Sequence, residues 1–238
     1  MDIKVIHIDE TDSTNRWLKD YALTHSVGEY VVVADYQTAG RGCGTNSWES
    51  ERGRNLTFSM LVHPVDIPAN EQFHITEVVS VALCETLEHY LSDRVEIKWP
   101  NDIYVGDRKI CGILIENRLQ GNVMKDSIIG IGLNVNQIVF RSDAPNPVSL
   151  CQLTGKETDL DELLEAFLKQ FAQVFQSKTT CFDYRNRLFR KGECAIYKDK
   201  TTCFVATLVD VLSDGRLVLQ DENGQKRTYA FKEIQFII

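Results

Sequence analysis

Ala34-Asp35-Tyr36-Gln37-Thr38-Ala39-Gly40-Arg41-Gly42-Cys43-Gly44-Thr45-Asn46-Ser47-Trp48 is a polar, glycine-broken run between two apolar ones, Tyr30 to Ala34 and Leu56 to Val62. Both flanks read as strands, so the run is a loop that joins them. Gly40, Gly42 and Gly44 carry no Cβ and permit φ > 0. Backbone N–H groups there can close around an anion while Arg41 adds a rigid fork of donors. The spacing is neither G-x-x-x-x-G-K-[ST] nor G-x-G-x-x-G, so neither the Walker nor the dinucleotide mechanism is claimed for it. Taken alone, the run reads equally well as a flexible surface loop.

Upstream, Ile3 to Ile8 alternates apolar and polar residues as a half-buried strand does, and Asp9-Glu10-Thr11-Asp12 breaks it. Ser13-Thr14-Asn15 then opens a helix through Ala22. Because a strand feeds straight into this helix start, Asp12, Ser13 and Thr14 have two open roles: an N-cap, or hydroxyls that hold a small polar ligand. Downstream of the loop, Asn55 to Val62 is a strand. From Glu71 to Leu91, Phe73, Ile75, Val78, Val79, Ala82, Leu83 and Leu87 recur at helical spacing, predicting an amphipathic helix that packs on the sheet. His74 and His89 have no H-E-x-x-H spacing and read as surface or capping residues.

Val95 to Asn117 carries the turn signals Pro100-Asn101-Asp102 and Gly106-Asp107 inside apolar runs, and so reads as strand, turn, strand, tight hairpin, strand. Lys98, Asp102 and Lys109 fall at strand ends or turns, where sites are built. Two lysines and an aspartate around one hairpin, with Arg41 elsewhere, point to a polyphosphate site. Ile128 to Asn136 is a buried strand whose Gly130 and Gly132 allow something to lie close against the backbone, or simply pack under a helix. Asp143 to Pro147 reads as a loop. Thr158 to Gln176 is a second amphipathic helix, with Thr158 and Asp161 as a capping-box pair and Leu160, Leu163, Leu164, Phe167, Phe171 and Phe175 on its core face. Phe182 to Phe189 continues helically, and Arg190-Lys191-Gly192 marks a boundary between residues 1–189 and 190–238. Beyond it Cys194 to Tyr197, Cys203 to Leu212, Leu217 to Gln220, Arg227 to Phe231 and Ile234 to Ile237 read as five short strands of a small barrel.

The 238 residues, 43% of them hydrophobic, suffice for one large domain and a small one. A net charge of −8 argues against a long nucleic-acid footprint or a basic membrane-surface helix. Seven cysteines with no C-x-x-C pair, and Cys84, Cys111 and Cys203 inside apolar runs, predict buried reduced thiols and a cytoplasmic protein. The N-terminus has no basic, long-apolar leader, and no run of roughly 18 apolar residues occurs, so neither secretion nor a membrane span is expected. The sequon Asn55-Leu56-Thr57 is then expected to be unused.

With these stretches in hand, the chain resembles the biotin protein ligases, which attach biotin to a carrier-protein lysine through biotinyl-5′-AMP. Asp12-Ser13-Thr14-Asn15, Gln37 with Ala39-Gly40-Arg41-Gly42, Lys98-Trp99-Pro100-Asn101-Asp102, Arg108-Lys109 with Gly112-Ile113-Leu114, and Gly130-Ile131-Gly132-Leu133-Asn134 fall in the family's order over nearly the whole chain. The resemblance implies an α+β fold: a mixed-sheet catalytic domain like that of class II aminoacyl-tRNA synthetases, followed by a small SH3-like β-barrel. It implies biotin contacts from Ser13, Thr14, Asn15, Gln37, Arg41, Gly42, Cys43, Lys109 and Gly112, and ATP contacts from Arg41, Trp48, Lys98 and Asn134. Arg41, Lys109 and Asp102 are the implied catalytic groups, with Asp102 also a carboxylate for Mg²⁺ or the incoming lysine. The implied partner is a biotin carboxyl carrier protein or carboxylase subunit, with a homodimer as a further possibility. The expected type lacks the N-terminal DNA-binding domain of the family's bifunctional members. A lipoate or octanoate ligase of related architecture and a non-catalytic biotin-binding module are the alternatives. The chain departs from the family loop at Cys43 and Thr45, where the family usually has Arg or Gln and then glycine, which implies poorer cover over a bound adenylate.

Overall fold

The computed structural model describes residues 3–25, 28–65, 67–142 and 146–238. Its first part is built from β1 (Ile3–Thr11), α1 (Thr14–Thr24), β2 (Glu29–Gln37), β3 (Leu56–Val62), α2 (Phe73–Leu87), β4 (Val95–Lys98), β5 (Asp102–Val105), β6 (Arg108–Gln120), β7 (Val123–Leu133), α3 (Leu150–Thr154), α4 (Leu160–Phe175) and α5 (Thr180–Asn186). The seven strands form one sheet in the order β1-β2-β3-β7-β6-β5-β4. β1 and β2 run parallel, joined by α1 as a crossover, and the other neighbours are antiparallel, so the sheet is mixed.

Every residue of β3 is buried, which its near-unbroken apolar run Leu56-Thr57-Phe58-Ser59-Met60-Leu61-Val62 foretells for a strand covered on both faces. On one face α1 lays Leu18 over Val32, Leu61 and Ile128. The other face carries the main core, where Phe58 meets Phe167 of α4 edge-on at 5.5 Å between ring centroids. α2 is not the half-exposed helix that its apolar stripe predicts. It is shorter than Glu71 to Leu91 and buried on nearly every side, even at Glu77, Ser80 and Thr86, because α4, α5 and the sheet enclose it.

The second part comprises β8 (Cys194–Lys198), β9 (Cys203–Val211), β10 (Leu217–Asp221), β11 (Lys226–Tyr229) and β12 (Gln235–Phe236), an antiparallel sheet in the order β11-β10-β9-β8-β12. The fold is therefore α+β, a large mixed sheet plus a small antiparallel unit. The two share one continuous core, in which Tyr197, Leu208, Leu217 and Phe236 join the residues under the large sheet. The Asp214-Gly215 turn docks on α2: Gly215 has φ 87°, its carbonyl accepts from Trp99 Nε1 at 2.9 Å, and a methyl there would strike the Phe73 ring.

Three local expectations change. Helix α4 is capped by Asp159, whose carboxylate accepts from the amides of Asp161 and Glu162, and not by a Thr158/Asp161 box; Thr158 instead donates its amide to Asn136. Helix α5 ends at Asn186, so only part of Phe182 to Phe189 is helical. All seven cysteines are free, with Cys84 and Cys111 buried as expected, but Cys203 is exposed because it sits on an outward position at the start of β9. Of the predicted loop Asp143 to Pro147, residues 143–145 lie outside the described residues. Asn55 is buried, and its side chain bonds Gln137 and the Val135 amide. Among the described residues no helix is long and apolar enough to cross a membrane.

Candidate functional site

A cavity of about 820 Å³ opens between the large sheet, the Arg41–Trp48 segment and the segment around Phe231–Phe236 of the small unit. Its floor is set by strand register. Gly130 pairs with Ser59 on one side and Leu114 on the other, and Gly132 pairs with Thr57 and Gly112. Residues 130 and 132 face the same side of β7, two apart. The missing side chains leave a flat strip of backbone, and two side chains lie on it. Asn15 rests on Gly130, donating to the Leu114 carbonyl (3.3 Å) and to Glu116 (2.9 Å), while Ser59 Oγ stands 2.6 Å from its Oδ1. Trp48 lies across Gly112 and Gly132, where an added methyl would run into the indole.

One end of the cavity, around Ser13, Thr14, Asn15 and Gln37, is lined by neutral polar residues. Ser13 is the N-cap residue of α1 in extended conformation, yet its side chain makes no capping bond. Thr14 donates its amide (2.8 Å) and hydroxyl (3.1 Å) to Gln37 Oε1 at the end of β2, and Ser13, Thr14 and Asn15 are all buried. Ser13 thus makes no cap bond, and Ser13 and Thr14 both line the cavity.

The glycine loop differs from the expected anion cradle. It folds as a small hairpin: Gly42 N donates to Asn46 O (2.7 Å), Trp48 N to Gly40 O (2.9 Å), and Arg41 pairs with Ser47. Those amides are therefore spent inside the protein. Only Gly44 of the three glycines has positive φ, at 71°. Gly40 is glycine because a methyl there would stand 2.5 Å from the Trp48 carbonyl oxygen, so close approach rather than φ is the constraint.

Cations converge on the cavity from separate segments. The Lys109 ammonium pairs with Asp102 at 2.7 Å and lies 5.7 Å from the Trp48 ring centroid. Lys98 sits directly across the β4–β5 ladder from Asp102, with its ammonium over the rings of Tyr104 (5.3 Å) and Phe236 (5.5 Å). Burial lowers the Lys98 pKa from the ordinary lysine value; Asp102 opposes the shift and Lys109 adds to it. Arg41 lines the same cavity, 3.8 Å from Glu116. Arg41 and Lys109 thus share one space, as the polyphosphate reading requires. Asn134 donates to Val148 O (3.1 Å), but its buried Oδ1 has no partner, and the buried Trp48 Nε1 is likewise unpaired. Both residues line the cavity, and the Trp48 Nε1 edge packs against Gly132. Cys43 lines it as well. Among the described residues no three His, Cys, Asp or Glu side chains cluster to hold a metal ion, and Asp102 offers a single carboxylate already paired with Lys109.

Several residues here escaped the sequence reading. Ser59 was signalled only as a lone hydroxyl inside the apolar β3 run. Glu116 bridges Asn15 and Arg41 from mid-strand. Lys232, at φ 70°, lines the cavity from the small unit, its Nζ 2.8 Å from where a methyl on Gly44 would stand. Nothing in its local pattern sets Lys232 apart from other lysines.

Residues 8–134 match the Biotin/lipoate A/B protein ligase family. The chain is 29% identical over 237 residues to the bifunctional ligase/repressor BirA of Bacillus spizizenii, covering 95% of this chain and 72% of that protein. It is 36% identical over 124 residues to BirA of Escherichia coli, covering 52% and 38% of the two. Against the biotin--[acetyl-CoA-carboxylase] ligase of Mycobacterium tuberculosis it is 26% identical over 222 residues, covering 89% and 81%. The biotin protein ligase from Aquifex aeolicus solved in complex with biotin and ATP superposes with a TM-score of 0.79 at 26% identity, covering 98% and 97%.

Proposed function

The chain belongs to the Biotin/lipoate A/B protein ligase family, and we propose that it activates biotin with ATP as biotinyl-5′-AMP and passes the acyl group to a lysine of a biotin carboxyl carrier protein or carboxylase subunit. One observation carries this reading: a single cavity joins a buried, neutral, polar end to a strongly cationic one. A ureido ring presents donors and an acceptor that suit the uncapped Ser13 hydroxyl and the polar surface of Thr14, Asn15 and Gln37 around it, whereas an octanoyl tail would leave the Ser13 hydroxyl facing an apolar chain. This favours biotin over the lipoate or octanoate alternative.

Adenylation joins two anions, biotin carboxylate and the α-phosphate, and pyrophosphate leaves. The chain's task is to hold them in line and neutralise growing charge. Arg41 grips bidentately, and Lys109, whose stem passes Gly112, holds the carboxylate beside it, with Gly42 and Cys43 walling the cavity. Asp102 fixes the Lys109 ammonium, and Lys98, partly desolvated, meets the polyphosphate. Trp48 covers the adenine, and the free Asn134 oxygen accepts from its exocyclic amine. Asp102, paired with Lys109, would be the carboxylate nearest to a Mg²⁺ carried in by the nucleotide, and that ion would supply charge neutralisation when bound. In the second step a neutral lysine attacks the acyl carbon and AMP departs, with Asp102 orienting the amine.

Biotin-dependent ATP–pyrophosphate exchange tests the first step, run in parallel with lipoate and octanoate. Exchange with biotin alone supports the reading; exchange driven by either other acid, or by none, overturns it.

A further inference from the structure

Glu49 follows Trp48 in the chain and is half-buried, yet no cationic side chain pairs with it among the described residues. Its carboxylate is held by amides and by the Ser142 side chain. Arg141 N donates to both oxygens (2.9 and 3.1 Å), Ser142 N to Oε2 (2.6 Å) and Gln137 Nε2 to Oε1 (3.2 Å). Gln137 is itself fixed: it is 2% exposed, its carbonyl accepts from Asn55 Nδ2 (2.6 Å) and Glu51 N (3.0 Å), and its amide also donates to Val139 O (2.9 Å). Through this network one carboxylate ties the end of the Arg41–Trp48 hairpin to the segment after β7, and Phe140 and Ser142 of that segment line the cavity beside Trp48. Burial raises the Glu49 pKa, but the bonds from Ser142, Arg141 and Gln137 outweigh it and leave the carboxyl below the ordinary glutamate value, so it is an anion at neutral pH.

We propose that Glu49 is a positioning residue that clasps the hairpin and the 138–142 segment into one body, so that occupying the biotin end of the cavity raises affinity at the nucleotide end. The inference rests on the biotin–ATP reading above. An anion bound by several backbone N–H groups fixes two loops in relative position without adding a contact to either ligand. A ligand at either site that favours the clasped arrangement then favours the other ligand as well, and the coupling is reciprocal.

The test is calorimetric titration of biotin, without and with saturating α,β-methylene ATP, into the wild type, Glu49→Ala and Glu49→Gln. The wild type is expected to bind biotin at least ~5-fold more tightly with the nucleotide present, the lower end of common coupling factors. In Glu49→Ala the factor should fall below about 2 while biotin affinity without nucleotide changes less than about 3-fold; Glu49→Gln, which keeps one acceptor oxygen, should lie between. In exchange kinetics the alanine variant should show a raised KM for ATP at subsaturating biotin with kcat at saturation within about 2-fold, a split that general loosening would not give. Full coupling in Glu49→Ala, or equal losses with and without nucleotide, overturns the clasp. A wild type that exchanges with biotin but shows no coupling overturns the clasp alone, whereas a wild type with no biotin-dependent exchange overturns the functional reading and the clasp with it.

Discussion

Replacing Gly130 by alanine adds one methyl group to the middle of β7 and should lift Asn15 off the sheet. Gly130 lies in regular strand, so φ imposes no penalty, and loss of backbone freedom in the unfolded chain would by itself favour alanine by about 0.4–1 kcal/mol. The obstacle is steric. The new carbon would stand 2.2 Å from Asn15 Oδ1, and Cβ contacts under 3.0 Å essentially never occur, so the amide must move by at least 0.8 Å, the difference between the two. Such a shift breaks its contacts with Ser59 and the Leu114 carbonyl, worth about 1 kcal/mol each, and with Glu116, worth somewhat more before discounting for the part-exposed carboxylate. The net expectation is a loss of about 3 kcal/mol, or roughly 6–12 °C in Tm for a chain of this size. Urea unfolding of Gly130→Ala, Asn15→Ala and the double variant measures it. In the Asn15→Ala background the methyl should cost less than about 1 kcal/mol, giving a coupling near 2 kcal/mol. If Gly130→Ala is equally costly in both backgrounds, Asn15 is not what the glycine accommodates. Biotin affinity of the single variant should fall at least ~10-fold, because Asn15 lines the cavity.

Arg41→Ala and Lys109→Ala should each cut biotin-dependent pyrophosphate exchange by about 100-fold or more, and near-normal exchange in both would remove them from the reaction. Lys232→Ala should raise the KM for ATP several-fold with little change in biotin affinity; an unchanged KM would mean that the small unit only walls the cavity. Lys98 binds its proton less tightly folded than unfolded, so it costs stability at neutral pH, and that cost fades as pH rises from the lowered folded value toward about 10.4. The stability advantage of Lys98→Met over wild type should therefore shrink between neutral pH and pH ~10, and parallel profiles would show that Lys98 is not desolvated. Acylation of free amines by escaped adenylate should be slower in Cys43→Arg than in wild type, and equal rates would show that the side chain at 43 does not retain the intermediate.

Much of this molecule was legible in order along the chain, because period and punctuation are local. The apolar run of β3, the alternation of β1, the hairpin signals after Pro100 and Gly106 and the five short C-terminal strands each follow from a few neighbouring residues. Gly130 and Gly132 left room for something to lie close to β7 or for a helix to pack there. What lies there, Asn15 on one glycine and Trp48 on the other, was decided by strand register, which brings Thr57, Gly112 and Gly132 from three distant segments into one row. The spending of loop amides within the Arg41–Ser47 hairpin, the arrival of Lys232 from the small sheet and the grip of Glu49 on Arg141 and Ser142 follow no local pattern. A short-range pattern records which residues must be buried or turned, but which donor finds which acceptor, and which cations share a cavity, depends on how distant segments close over one core.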